Sequence, residues 1–149
     1  MKIVVIDGQG GKIGALLVGR LKADAPGHEV YAIGTNSIAT SAMMKAGADV
    51  GATGENPVIV NCRDADAIVG PIGIVVADSL VGEITPAMVV AVGQSGAQKV
   101  LLPVNRCNTY IVGSRDLPIS DMIESAVKRV LSICAGMIAG GAGGGASTL

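Results

Sequence analysis

The sequence predicts a single α/β domain with a doubly wound, mostly parallel sheet of the Rossmann-like kind, ending in a glycine-rich C-terminal tail. Three observations carry this expectation. An apolar, β-branched run from Lys2 to Asp7 passes directly into Gly8-Gln9-Gly10-Gly11-Lys12-Ile13-Gly14, and that loop opens a helical pattern. Short apolar runs then alternate with helical segments along the chain, the order that folds into parallel βαβ units. Of the 149 residues, 50% are hydrophobic and only 15% are charged, a balance that suits strands buried on both faces.

The elements follow in order. Lys2 to Asp7 is the first buried strand, and Ile13 to Leu21 carries apolar residues at helical spacing until Ala25-Pro26-Gly27 stops the helix. Glu29 to Ile33 is the second strand. Gly34-Thr35-Asn36-Ser37 is a turn that caps a helix from Ile38 to Lys45. Within Ala46 to Ala52, a glycine stop precedes a short third strand. Pro57 to Cys62 has strand-like branching, yet Asn56-Pro57 is a good helix start; two parallel strands need a crossover, so a short helix is expected here. Asp66 to Gly70 is the fourth strand. Helical pieces over Ile72 to Leu80 and Ala87 to Val92 lead to a fifth strand, Lys99 to Val104, and a sixth at Tyr110-Ile111-Val112. The last helix runs from Asp116 to Ser132.

The nucleotide-binding domain is therefore expected over 1–133 and a glycine- and alanine-rich tail over 134–149. Gly136, Gly140 and Gly144 recur at a four-residue step that permits close helix packing in membranes, but so many glycines make a poor helix and a weakly hydrophobic span. The tail is read instead as part of a homo-oligomeric contact, with no membrane partner. A chain this apolar leaves surface that a second subunit would cover.

Composition narrows the partners further. The net charge is −1, the basic residues are scattered, and Tyr31 and Tyr110 are the only aromatics, so no nucleic-acid partner is expected. Cys62, Cys107 and Cys134 form neither a disulfide framework nor a zinc motif, and no metal site is expected. The N-terminal run lacks the shape of a signal peptide, and together these features point to the cytoplasm.

The glycine loop is where ligand chemistry is expected. Gly8 permits the tight turn off the strand, Gly10 or Gly11 lets a phosphate approach bare backbone, and Gly14 lets the helix pack close to the sheet. A pyrophosphate would rest on the amides of this loop and the positive end of the helix, near Gln9, Lys12 and Ile13. The spacing departs from G-x-G-x-x-G, since Gly14 falls one residue late. Asp7, just before the loop, is expected to accept its amides and hold the turn; the alternative is a metal-binding or phosphate-sensing carboxylate, which no second carboxylate in the sequence obviously joins. At the end of the second strand, NAD-preferring proteins place a carboxylate; Gly34, Thr35 and Asn36 stand here instead, and with Lys12 nearby they put NADP ahead of NAD as the cofactor.

Two further segments fall at strand carboxyl ends, Gly70-Pro71-Ile72-Gly73 and Asn105-Arg106-Cys107-Asn108. Gly70, Pro71 and Asn105 join the candidate cofactor-binding residues. Cys107, beside a cation but with no histidine placed as a base, is the one candidate for nucleophilic chemistry, set against the favoured reading of a loop held by its asparagine side chains. His28 sits at the opposite end of the sheet. The Thr53-Gly54-Glu55-Asn56 turn approaches the site or caps a helix.

With these motifs assembled, the chain resembles a family of small uncharacterised bacterial proteins, a domain of unknown function in the Rossmann dinucleotide-binding group. The resemblance rests on Val5 to Gly11 with Ile13-Gly14, Gly34-Thr35-Asn36, Ala39 to Met43, Gly51 to Asn56, Gly70 to Ile74, Gly82-Glu83-Ile84-Thr85-Pro86 and Asn105 to Asn108. It implies the fold and the location of the site and supplies no reaction. Three functions fit the residues: a dinucleotide-binding protein with a sensing or regulatory role, a small NADP-dependent reductase with its site between subunits, or an oligomeric structural subunit that has lost its ligand. Whether the chain is an enzyme is left open.

Overall fold

The structure is a computed structural model and describes residues 1–104 and 108–140. Five parallel strands, β1 (Lys2–Asp7), β2 (Glu29–Gly34), β3 (Val50–Thr53), β4 (Ala67–Pro71) and β5 (Gln98–Leu102), form one sheet in the order β3-β2-β1-β4-β5. Among the described residues five α-helices connect and cover them: α1 (Lys12–Asp24), α2 (Ser37–Lys45), α3 (Glu55–Asn61), α4 (Pro86–Gln94) and α5 (Ile119–Gly140).

Alternation along the strands sorts the core into two layers. Ile3 and Val5 of β1 point into one layer with Leu17, Val18 and Leu21 of α1 and Ala126, Val127 and Val130 of α5. Their neighbours Val4 and Ile6 point into the other, with Val58 of α3 and Met88 and Val92 of α4. Helices therefore cover both faces, and the expected doubly wound parallel sheet is the fold observed. The sheet's order reverses between β1 and β4, and in open α/β sheets a ligand crevice opens there, outside the carboxyl ends of the strands.

Local signals account for most boundaries. Asn36 caps α2 by accepting the Ala39 amide at 2.9 Å, and Thr85 caps α4 with Pro86 at its first position. The expected short helix after β3 is α3. It starts two residues earlier than Asn56-Pro57 suggested, at Glu55, with Gly54 as its cap at φ 107°.

Three expectations are corrected. Ile72 to Leu80 is not one helix: a single 3₁₀ turn over Ile72–Val75 gives way to a run of tight turns, because Asp78, Leu80 and Val81 all take positive φ, which no right-handed helix accommodates. Tyr110 to Val112 forms no strand; Tyr110 and Val112 are exposed, and β5 pairs with β4 alone. The last helix does not stop at Ser132 but runs to Gly140, held to the sheet as far as Cys134, which is buried in the first core layer. The tail expected from 134 thus begins inside α5. No helix among the described residues is long and apolar enough to cross a membrane.

Candidate functional site

β1 ends in Asp7, and the chain turns at once through Gly8 to Gly11, closed by the Gly11 amide donating to the Gly8 carbonyl at 2.9 Å. Each glycine of this turn meets a different demand. Gly11 has φ 71°, and a Cβ there would lie 2.6 Å from the Ala39 Cα, so backbone conformation and the close approach of α2 both require glycine. At Gly14 a Cβ would meet the Met43 sulfur and the Asp7 Cβ, which is the close packing of α1 against β1 and α2. Gly10 differs from both: it is exposed, lies outside the left-handed region, and a Cβ there would touch nothing within 4 Å. Nothing among the described residues asks for glycine at that position.

Asp7 holds the turn from below. Its Oδ1 accepts the Gly8 amide at 2.8 Å and its Oδ2 the Gly14 amide at 2.7 Å, so the carboxylate stitches strand end, loop and first helical turn together. Burial pushes its pKa above the ordinary aspartate value; the two amides pull the other way, and the nearby Glu83 charge adds a smaller upward push. The amides of Gly10, Lys12 and Ile13 have no acceptor within the described residues. They sit at the start of α1, where aligned peptide dipoles favour an anion. The Lys12 side chain is exposed beside them.

Glu83 is the residue that the sequence did not single out for this site. It stands on the loop between β4 and α4, and its Oε2 accepts the Gln9 amide of the glycine turn at 2.9 Å. Its Oε1 accepts the Thr35 hydroxyl at 3.2 Å and the Asn36 side-chain amide at 2.5 Å. Asn36 also donates to the Gln9 carbonyl at 2.9 Å, so one side chain caps α2 with its oxygen and faces the crevice with its nitrogen. Four of the expected cofactor-binding positions, Gly8, Gln9, Thr35 and Asn36, are thereby brought around one carboxylate. The order NADP before NAD rests on a second strand without a carboxylate at its end and on Lys12 in the glycine turn; in space the Glu83 carboxylate reaches that strand end.

The loop that presents Glu83 is firmly built. The Asp78 amide donates to the Ile84 carbonyl at 2.7 Å, the Ile84 amide to the Ser79 carbonyl at 3.2 Å, and the Glu83 amide to the Leu80 carbonyl at 3.2 Å. Ile84 and Leu80 anchor it in the second core layer, and the buried Ser79 hydroxyl donates to the Gly73 carbonyl at 2.5 Å. Leu80 also closes over Gly8: a Cβ built there would meet the Leu80 Cδ1 at 2.9 Å and the Thr35 hydroxyl at 2.7 Å. Positive φ at Asp78, Leu80 and Val81 is sustained by these surroundings.

The remaining candidates fall in different places. Gly34 sits at the end of β2, paired with Asp7, and a Cβ there would collide with Thr40. Gly70 and Pro71 end β4 and are both buried; a Cβ on Gly70 would collide with the Ile6 carbonyl, so it permits the close approach of β4 to β1. Asn105 and Cys107, with Arg106, lie outside the described residues. Thr53 and Glu55 are engaged locally, Thr53 with the Thr40 hydroxyl at 2.7 Å and Glu55 accepting the Thr85 hydroxyl at 2.5 Å. His28 precedes β2, at the other end of the sheet. Among the described residues no cluster of histidine, cysteine, aspartate and glutamate fits a metal ion. A cavity of about 650 Å³ between β5 and the second half of α5, lined in part by Asp66, Lys99 and Arg129, is remote from the glycine turn.

No curated protein matches the sequence. Among solved structures, a dodecameric FMN-dependent UbiX-like decarboxylase from Escherichia coli O157:H7 is 18% identical and aligns over 89% of this chain and 92% of its own, with a TM-score of 0.44. The family that covers the chain is the Domain of unknown function (DUF3842), matched by residues 2–135, and the chain belongs to it.

Proposed function

We propose that this chain is a nucleotide-binding protein that holds a phosphate-bearing ligand on the turn from Gly8 to Gly11 and serves a sensing or regulatory role as a homo-oligomer. NAD and NADP are the candidate ligands. One observation carries the reading: the turn after β1, the end of β2 and the loop after β4 converge at the sheet's switch point, and the Gly10, Lys12 and Ile13 amides find no acceptor among the described residues. Such a row of amides at a helix start is a ready anion receptor. Gly10, with open space where a side chain would be, leaves the backbone bare to an incoming phosphate.

The sensing role is supported by how the crevice carboxylates are used. Asp7 is committed to the Gly8 and Gly14 amides, and Glu83 to Gln9, Thr35 and Asn36, so both serve structure and recognition. Exposed apolar side chains, Met137 and Ile138 on α5 and Tyr110 and Val112 after β5, support the oligomer. A native mass-spectrometric screen of the purified protein tests the reading. A retained or added nucleotide at one per chain is expected. A chain that carries none and binds neither NAD nor NADP would overturn it, and steady oxidation of reduced cofactor would replace it with the reductase reading.

A further inference from the structure

We infer that Glu83 is the specificity-determining residue of this site and that it selects a ligand with a free ribose diol, so that NAD binds and NADP is rejected. The inference rests on the nucleotide-binding reading above and sharpens it. In dinucleotide-binding sheets, the position beside the first glycine turn at the end of the second strand receives the adenosine ribose, and a carboxylate there takes its two hydroxyls. Here the second strand ends in Gly34-Thr35-Asn36, which carries no carboxylate. The carboxylate that arrives at that place comes from another element, the loop between β4 and α4, and touches both landmarks at once: the Gln9 amide of the turn and the Thr35 and Asn36 side chains.

Chemistry decides what such a group accepts. Glu83 already accepts from Gln9, Thr35 and Asn36, so of a carboxylate's roughly four lone-pair sites one stands open to a ribose hydroxyl, and the second hydroxyl takes the place of the Thr35 or Asn36 donor. A 2′-phosphate would bring like charge directly against the Glu83 carboxylate. Discrimination then comes from repulsion as well as from fit.

The alternative for Glu83 is a plug, standing in for the phosphate and leaving when ligand arrives. The loop argues against it. Glu83 is bracketed by Leu80 and Ile84, both buried in the core, and by the backbone bonds that join Asp78, Ser79 and Ile84. A group that must swing away is seldom held between two core anchors on a strained turn tied by several backbone bonds. This loop pre-organises Glu83 where it stands.

Calorimetric titration of the wild-type chain and of Glu83→Gln and Glu83→Asp with NAD and NADP tests the assignment, with melting temperature as the check on folding. The wild type is expected to prefer NAD by about tenfold or more, the range set by one charge-assisted hydrogen-bond pair. Glu83→Gln should weaken NAD by roughly 10- to 100-fold and narrow or reverse the order, while Glu83→Asp keeps it. A wild type that binds NADP as tightly as NAD overturns the inference and leaves the nucleotide reading standing. Equal strengthening of both ligands by Glu83→Gln overturns it in favour of a plug. Failure of the wild type to bind either overturns the nucleotide reading itself, and this inference with it.

Discussion

Adjacent glycines in the turn after β1 are expected to respond in opposite ways to alanine. At Gly11 the new methyl meets two costs. The backbone stands at φ 71°, where an L side chain costs about 1–2 kcal/mol. The methyl also falls 2.6 Å from the Ala39 Cα and 2.8 Å from its carbonyl oxygen, and these are backbone atoms that cannot swing aside, so α2 must move. Overpacking of that kind costs about 1–3 kcal/mol more, for a total of roughly 2–5 kcal/mol. In a domain of this size each kcal/mol lowers Tm by about 2–4 °C, so Gly11→Ala should melt roughly 4–20 °C below wild type. Gly10→Ala enters open space at an ordinary backbone angle. It should melt at or slightly above wild type, since the unfolded chain loses freedom worth about 0.4–1 kcal/mol. Thermal unfolding followed by circular dichroism measures both. Equal melting temperatures for the two variants, or a larger loss at Gly10, would refute the division of the turn into a structural and a ligand-facing glycine.

Two further predictions concern the turn's support and the end of α5. Burial raises the folded pKa of Asp7, so the native chain holds this proton more tightly than the unfolded chain does. Its contribution is present below the ordinary value of 3.8 and is lost as pH rises through the raised folded value. The stability difference between wild type and Asp7→Asn, measured by urea unfolding across that window, should therefore shift against the wild type as pH rises; a difference that moves the other way would contradict the assigned burial. Truncation after Ala135 keeps the buried Val130 and Cys134 but removes the exposed Met137 and Ile138, and should lower the mass seen by light scattering. An unchanged mass would remove the α5 end from the proposed assembly.

Much of this architecture was legible because local chemistry and global fold agree. Lys2–Asp7 is β-branched and ends at glycine, Thr85-Pro86 is a strong helix start, and Asn36 is both turn residue and cap. The loop after β4 was not legible. Ile72 to Leu80 is apolar enough to read as a helix, and the residues that break it, Leu80 and Val81 at φ 54° and 58°, are ones whose type argues against a left-handed turn. Core anchoring by Leu80 and Ile84, with the loop's own backbone bonds, holds them there, and neither is visible to local propensity. Misreading that loop hid Glu83, although Gly82-Glu83 just before a proline-started helix is a carboxylate on a strand-end connection, which in this fold faces the crevice. The continuation of α5 to Gly140 was missed for a similar reason: Gly136 and Gly140 lower helix propensity, but the helix is already nucleated and packed through Cys134.

Calorimetric titration of NAD into wild type and into Gly10→Asp tests the central claim most directly. The aspartate side chain would enter the open space at Gly10 without disturbing the chain, placing a carboxylate where the phosphate is proposed to sit. Saturable binding at one per chain by the wild type is expected, with binding abolished in the variant at an unchanged melting temperature. Equal affinity in the two proteins would contradict the assignment of the glycine turn as the phosphate site.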